Sequence, residues 1–295
     1  TPTGSTVNYT EGDGPVTVDD GLTISDADDT NLEGATISIT NFVAGQDLLA
    51  FTDQLGITGS WNGTTGVLAL TGTASVANYQ TAIRSITYTN TSENPNTTTR
   101  TVQFVVDDGT DTSTPQTRSV AIAATNDAPT VTPTGSTLNY TEGDGAVVVD
   151  TGLTISDADD TNLEGATISI TNFVAGQDVL AFTNQLGITG SWNGTTGVLT
   201  LTGTASVANY QTAIRSITYT NTSENPNTTT RTVQFVVDDG TDTSTPQTRS
   251  VAIAADNDAP VLTPTGSTLD YTEGDGAVAV DTGLTISDAD DTNLE

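Results

Sequence analysis

Along the chain, apolar residues recur at every second position over short runs. Thr36-Ile37-Ser38-Ile39-Thr40 alternates, Val102, Phe104 and Val106 do the same, and so do Val120 and Ile122. Leu22/Ile24, Leu68/Leu70 and Ile86/Tyr88 repeat the pattern. A period of two puts one face of each segment inward and reads as half-buried β-strand. Clusters such as Asn62-Gly63-Thr64-Thr65-Gly66 and Asp108-Gly109 punctuate the runs as turns. One stretch departs from alternation: Ser75 is a good N-cap and Tyr79 and Ile83 lie four apart, which predicts a short helix over 76–84. Seven or more short antiparallel strands in such a length read as a β-sandwich.

The pattern is periodic on a larger scale. TPTGSTVNYTEGDG at residue 1 returns with small changes at 132 and again at 263, a period of 131 residues. The first two copies differ at positions 7, 15, 17, 20, 48, 53, 69, 125, 130 and 131 of the period, and the chain holds 33 residues of the third. That period is too long for a solenoid repeat and suits a whole domain. The predicted domains are 1–125, 126–256 and an N-terminal part of a third copy at 257–295. The joints fall at Thr125-Asn126-Asp127-Ala128-Pro129 and Asp256-Asn257-Asp258-Ala259-Pro260, where proline ends one strand before the next begins. Tandem near-identity argues for reach or avidity rather than catalysis.

Composition narrows the partners. The chain has 37 acidic residues against six basic ones, all arginine, for a net charge of −31, and it has no His, Cys or Met. Such a field makes nucleic acid or an anionic membrane a poor partner and a divalent cation a good one. No apolar run is long enough to span a bilayer. The chain opens on Thr1-Pro2-Thr3-Gly4 without a signal peptide, so it is expected to be a piece of something longer.

Carboxylates cluster at three places in each copy. Glu11 and Glu142 stand in Tyr-Thr-Glu-Gly-Asp-Gly; Asp157-Ala158-Asp159-Asp160 follows; Asp238-Asp239-Gly240 comes near the end. The joints add Asn126 with Asp127 and Asn257 with Asp258. A hard cation such as Ca2+ takes six to eight oxygens from carboxylates, amides and carbonyls. Each cluster also has a plain reading. Asp157 and Asp159 suit a solvated turn, Asp127 and Asp258 an Asx-turn before proline, Glu142 a solvent-facing position, and Asp238 a hairpin turn. Glu93 and Glu224 in Ser-Glu-Asn-Pro read as loop residues, and Trp61 and Trp192 as core or lid residues, with a sugar-stacking role as the alternative.

Taken together, the clusters resemble a known family. Glu, then Asp-Ala-Asp fifteen residues on (11 to 26, 142 to 157, 273 to 288), then Val-Val-Asp-x-Gly, then Asn-Asp-x-Pro, is similar to the cadherin repeat. Segments such as GLTISDADDTNLEGATISIT and ASVANYQTAIRSITYTNTSENP resemble the cadherin-like tandem repeats of giant bacterial surface proteins, including the extender regions of RTX-type adhesins. The resemblance implies an all-β fold of tandem cadherin-like or Ig-like Greek-key β-sandwiches in a linear array, with calcium at the joints. It assigns Glu11, Asn126, Asp127, Asp157, Asp159 and Asp238 to the first joint, and Glu142, Asn257, Asp258, Asp288 and Asp290 to the second. Ala128 and Ala259 stand where animal cadherins carry a second linker Asn, Ala124 and Ala255 where they carry an earlier linker Asp, and no Asp-Arg-Glu precedes the penultimate strand. About one or two ions per joint are therefore expected.

The expected function is mechanical. Calcium-rigidified extender modules of a bacterial cell-surface adhesin would project a distal ligand-binding domain for adhesion or biofilm formation. Their partners would be neighbouring repeats of the same chain, without nucleic acid or membrane insertion. Carbohydrate binding or homophilic adhesion by the modules themselves is the alternative. An enzyme is not expected, since without His, Cys or Lys only a two-carboxylate mechanism such as glycoside hydrolysis remains. The exposed edges of 263–295 are expected to exchange strands with another copy, since exact repetition lets one copy's strand fit another's slot.

Overall fold

The structure is a computed structural model that describes residues 1–293. It divides into two units, Thr1–Asp127 and Ala128–Glu295. In the first, strands β1 (Val7–Thr10), β2 (Val16–Thr17), β3 (Asn31–Ile39), β4 (Asp47–Ala50), β5 (Thr58–Asn62) and β6 (Val67–Ser75) lead into helix α1 (Val76–Arg84). Then come β7 (Thr87–Asn90), β8 (Arg100–Asp107) and β9 (Gln116–Ala123). A six-stranded sheet, β1-β9-β8-β3-β6-β5, faces a three-stranded one, β2-β7-β4. The apolar side chains between them form one core.

Alternation accounts for the strands. In β3, Leu32, Ala35, Ile37 and Ile39 are buried while their neighbours face out. The one break in the period, between Leu32 and Ala35, coincides with a register shift against β6 at Leu32/Gly34. Such a bulge adds a residue and keeps both flanks facing the core. The helix is as expected: Ser75 caps it by accepting from the Asn78 amide at 3.2 Å, and Tyr79, Ala82 and Ile83 are buried. Two expectations change. β1 pairs with β9 in parallel, not antiparallel, because it joins the sheet at its edge from the far end of the sequence. Leu22 and Ile24 lie in no strand of this unit.

The second unit repeats the plan with β10 (Thr130–Thr132), β11 (Leu138–Thr141), β12 (Val147–Val148), β13 (Thr154–Ser156), β14 (Asn162–Ile170), β15 (Asp178–Ala181), β16 (Thr189–Asn193) and β17 (Val198–Ser206). Helix α2 (Val207–Ile214), β18 (Thr218–Asn221), β19 (Arg231–Asp238) and β20 (Gln247–Ala254) complete its sandwich. The six-stranded order is β11-β20-β19-β14-β17-β16 and the three-stranded one β12-β18-β15. Here the Ile24 counterpart, Ile155, does lie in a strand, because β13 has a partner in β10. The unit also contains β21 (Val261–Thr263) and β22 (Thr285–Ser287), which pair only with each other. Residues 294–295 of the expected third domain lie outside the described residues.

Every arginine is consumed internally. Arg100 is fully buried with its Nε on Asp47 Oδ2 at 2.7 Å, and Asp47 Oδ1 accepts from Tyr88 Oη at 2.6 Å and Asn90 Nδ2 at 3.2 Å. Arg231 builds the same network with Asp178, Tyr219 and Asn221. Such buried charges are tolerated because they are paired and hydrogen-bonded. Burial, reinforced by the Asp47 carboxylate, pushes the Tyr88 hydroxyl well above its usual range. Arg118 pairs with Asp19 at 2.7 Å and Arg249 with Asp150 at 2.8 Å, each clamping a strap through Thr3 or Thr134. Arg84 and Arg215 donate to the carbonyls of Leu22 and Leu153. With six arginines against 37 acidic residues, most of the negative charge is left to solvent cations.

Candidate cation-binding carboxylate sites

Glu11 follows β1 directly. Buried Tyr9 anchors that strand, and the Glu11 amide extends the ladder by donating to the Ala123 carbonyl at 2.9 Å. One carboxylate oxygen, Oε2, accepts from the Thr125 amide at 2.8 Å. The other, Oε1, is buried and accepts no hydrogen bond among the described residues. Glu11, Glu93 and Asp127 each bring a carboxylate oxygen within 4.8 Å of the others. Two oxygens on opposite sides of a calcium ion are about 4.8 Å apart, twice the usual ligand distance.

Glu93 was legible only as a loop residue. Its position is fixed by the loop after β7, where the Asn90 side chain accepts from the Ser92 amide at 3.0 Å and the Ser92 hydroxyl from the Asn94 amide at 3.1 Å. Asn90 belongs to the buried Arg100–Asp47 network, so the core holds the base of this loop. No spacing in the sequence announces that the loop ends beside Glu11; the buried Tyr9 hydroxyl, which donates to the Asn90 carbonyl 81 residues on at 2.8 Å, ties the two together.

The second unit contains the equivalent set, Glu142, Glu224 and Asp258, again within 4.8 Å. Glu142 Oε2 accepts from the Asp256 amide at 3.0 Å, while Glu142 Oε1 and Asp258 Oδ2 are buried and accept nothing among the described residues. Asp288, Asp290 and Asp291 form a neighbouring group of three. The two groups touch through Asp258, whose amide lies 3.4 Å from Asp290 Oδ2. Four of the five residues expected at this joint are therefore gathered in one place. The fifth, Asn257, turns its Nδ2 onto the Asp258 carbonyl at 2.8 Å, as Asn126 does onto Asp127 at 3.3 Å.

The Asp-x-Asp-Asp loops are self-built. In each, the first carboxylate accepts from the amides two and three residues on: 3.2 and 2.8 Å for Asp157, 3.2 and 3.0 Å for Asp26, 3.3 and 3.0 Å for Asp288. Their electrostatics differ. Backbone donors from Asp29 and Asp28 hold Asp26 below the usual carboxylate range. Burial first, then the neighbouring Asp159 carboxylate, pushes Asp157 above it despite the same donors, and Asp157 Oδ2 is buried without a donor. Asp290 is raised by sharing a hydrogen bond with Asp288. Asp238 falls outside the groups of three. Its Oδ1 accepts from the Gly240 amide at 2.7 Å. Burial, with Glu164 and Asp238 nearby, pushes Tyr210 up to about 12.

The donor set is all oxygen, with several acceptor atoms withdrawn from water and given no proton donor. An acceptor buried in that way is costly unless a cation or a proton satisfies it. The residues therefore fit a hard divalent ion, with Glu11, Glu93 and Asp127 or Glu142, Glu224 and Asp258 as carboxylate ligands. The tryptophans are engaged elsewhere: Trp61 packs edge-on against Phe42 at 5.8 Å and Trp192 against Phe173 at 5.9 Å. Among the described residues no helix is long and apolar enough to cross a membrane.

No family model matches the chain. In sequence it is similar to halomucin of Haloquadratum walsbyi, 30% identical over 294 residues, covering 64% of this chain and 3% of that protein. The chain thus spans a small fraction of the relative's length. Among solved structures it resembles human CDH23 EC21-23 at 16% identity, covering 98% of this chain and 79% of that one, with a TM-score of 0.33. For Drosophila N-cadherin EC1-4 the figures are 13% identity, 88%, 50% and 0.31. At those scores the likeness decides nothing about this chain; the sandwich architecture stands on its own sheets and cores.

Proposed function

We propose that the chain is a run of calcium-stiffened spacer modules of an extracellular adhesion-related surface protein, of the kind found in the extender regions of RTX-type adhesins. The observation that carries the reading is the set of buried, donorless oxygens of Glu142, Asp258 and Asp290, which converge where one copy passes into the next. Without a cation these carboxylates repel one another at close range. With one, the linker at Asn257-Asp258 is tied to both the loop at Glu142 and the loop at Asp288–Asp291. The equivalent set at Glu11, Glu93 and Asp127 extends the reading to the first unit. Similarity to halomucin, a far longer protein, agrees with a module of a large surface protein.

Calcium titration by calorimetry tests the reading. The full chain should take up calcium, and Glu142→Gln with Glu11→Gln should weaken binding at least tenfold while both sandwiches stay folded. Because Asp157 and Asp290 hold protons more tightly than ordinary carboxylates, a proton competes with the ion there. Calcium affinity should therefore fall as pH drops through their raised values. Absence of calcium uptake by the unaltered chain near neutral pH contradicts the proposal.

A further inference from the structure

The loop that carries Glu93 is pinned at both ends to one buried carboxylate. At its start Asn90 Nδ2 donates to Asp47 Oδ1 at 3.2 Å, and at its end Arg100 Nε donates to Asp47 Oδ2 at 2.7 Å. Arg100 also reaches back into the loop, donating from Nη1 to the Asn96 side chain at 3.3 Å and to the Thr98 carbonyl. Gln46, the neighbour of Asp47, adds two more ties. Its carbonyl accepts from the Thr91 amide at 2.8 Å, and its Oε1 accepts from the Asn96 amide at 2.9 Å. Pro95, inside the loop, is buried.

The same network reaches Glu11. Tyr9 lies edge-on to Tyr88 at 5.3 Å, and its hydroxyl donates to the Asn90 carbonyl at 2.8 Å and the Asp13 carbonyl at 2.9 Å. Tyr88 in turn donates to Asp47 Oδ1 at 2.6 Å. Glu11 and Glu93 thus hang from one hydrogen-bonded core, whereas Asp127 lies beyond the end of β9. The second unit repeats the arrangement. Asp178 accepts from Asn221 at 3.3 Å and Arg231 at 2.7 Å, Gln177 from the Asn227 amide at 2.9 Å, and the Tyr140 hydroxyl donates to the Asn221 carbonyl at 3.1 Å. Buried charged networks hold their members rigidly, because most other geometries strand a charge away from water.

We propose that the network of Asp47, Arg100, Asn90, Tyr9 and Gln46 is the positioning device of the cation site. It presets Glu11 and Glu93 before any ion arrives, so that binding has only the segment of Asp127 left to arrange. The proposal rests on the cation reading above and adds residues that set the affinity although none of them is a ligand. Ligands already held in place lower the ordering cost of binding, and partners one bond behind a ligand control how well it is presented.

The test uses the full chain with matched substitutions in both units, so that both sites report alike. Asn90→Ala with Asn221→Ala should weaken calcium binding about tenfold by calorimetry. In a Glu93→Gln/Glu224→Gln background the same pair should cost almost nothing further, because it acts through the carboxylate already removed. Gln46→Ala with Gln177→Ala loosens the loop without touching a buried charge. It should also weaken binding, with the melting temperature in chelator nearly unchanged. A second readout needs no ion. In chelator the Ser92 and Asn96 amides of the unaltered chain should exchange slowly, and each pair of substitutions should speed up both. Unchanged calcium binding in both variant pairs, an equal loss with and without the Glu93 carboxylate, or Ser92 and Asn96 amides unprotected until calcium is added would overturn the proposal and leave the cation reading in place. No calcium uptake by the unaltered chain overturns both.

Discussion

Residues 132–164 and 263–293 carry nearly the same sequence, and the structure treats them in opposite ways. Val149 is fully buried while Val280 is 82% exposed; Tyr140 and Tyr271 stand at 1% and 60%. What the third copy keeps is local. Thr265 and Asp281 make the same clamp as Thr134 and Asp150, at 2.8 Å from amide to carboxylate against 2.9 Å. The Thr272 amide finds Asp275 as the Thr141 amide finds Asp144, and β21 pairs with β22 in the register of β10 and β13. What it lacks is non-local. β11 and β12 exist because β20 and β18 lie beside them, and those strands come some 70 to 110 residues later. Side-chain-to-backbone hydrogen bonds thus shape the turns, but strands and core need the rest of the period. The Asp288–Asp291 loop falls in the local class, since Asp288 accepts from the amides of Asp290 and Asp291.

The largest expected contrast is in amide exchange. Protection should be near that of global unfolding at Tyr140 and nearly absent at Tyr271, a difference on the order of 1,000-fold or more. Comparable rates at the two amides would break the comparison. Next comes core truncation in matched positions. Leu153→Ala should cost about 2–5 kcal/mol in denaturant unfolding, whereas Leu284→Ala should stay within about 0.5 kcal/mol. The smallest contrast concerns the clamps. Burial alone would raise Asp150, but donors from Thr134, Arg249 and Gly152 outweigh it and hold the carboxyl below its usual range. A depressed carboxylate contributes stability above its unfolded value that is lost as pH falls through the folded one. Below pH about 4 the second sandwich should therefore begin to weaken. Asp150→Asn should lower the melting temperature at neutral pH and flatten that acid limb, and Asp281→Asn should leave both unchanged. An acid limb that persists in Asp150→Asn places the titration elsewhere.

The same division between local and non-local explains what the sequence could reveal. Alternation in β3, β8 and β9, the Ser75 cap and the helix at 76–84 are local facts, and they read off correctly. So did the period, and with it two sandwiches of one plan. The parallel pairing of β1 with β9 is a long-range choice of edge that no short pattern encodes. Glu11 and Asp127 stood out because their order and spacing with Asp-Ala-Asp resemble the cadherin repeat. Glu93 did not, because its place beside Glu11 depends on the buried Asn90 at the root of its loop. Nothing in the local pattern marked Arg100 and Arg231 as the buried partners of Asp47 and Asp178. A pattern search weighted toward acids passes over a basic residue whose partner lies 53 positions away.

The central claim is that a cation at the linker stiffens the passage from one module to the next. Small-angle scattering of the full chain, first in chelator and then in millimolar calcium, measures it most directly, with Glu142→Gln/Asp258→Asn run alongside. The account predicts that calcium lengthens the maximum dimension and protects residues 255–260 from proteolysis, and that the double variant shows neither response. A maximum dimension and a cleavage pattern identical with and without calcium in the unaltered chain would contradict it.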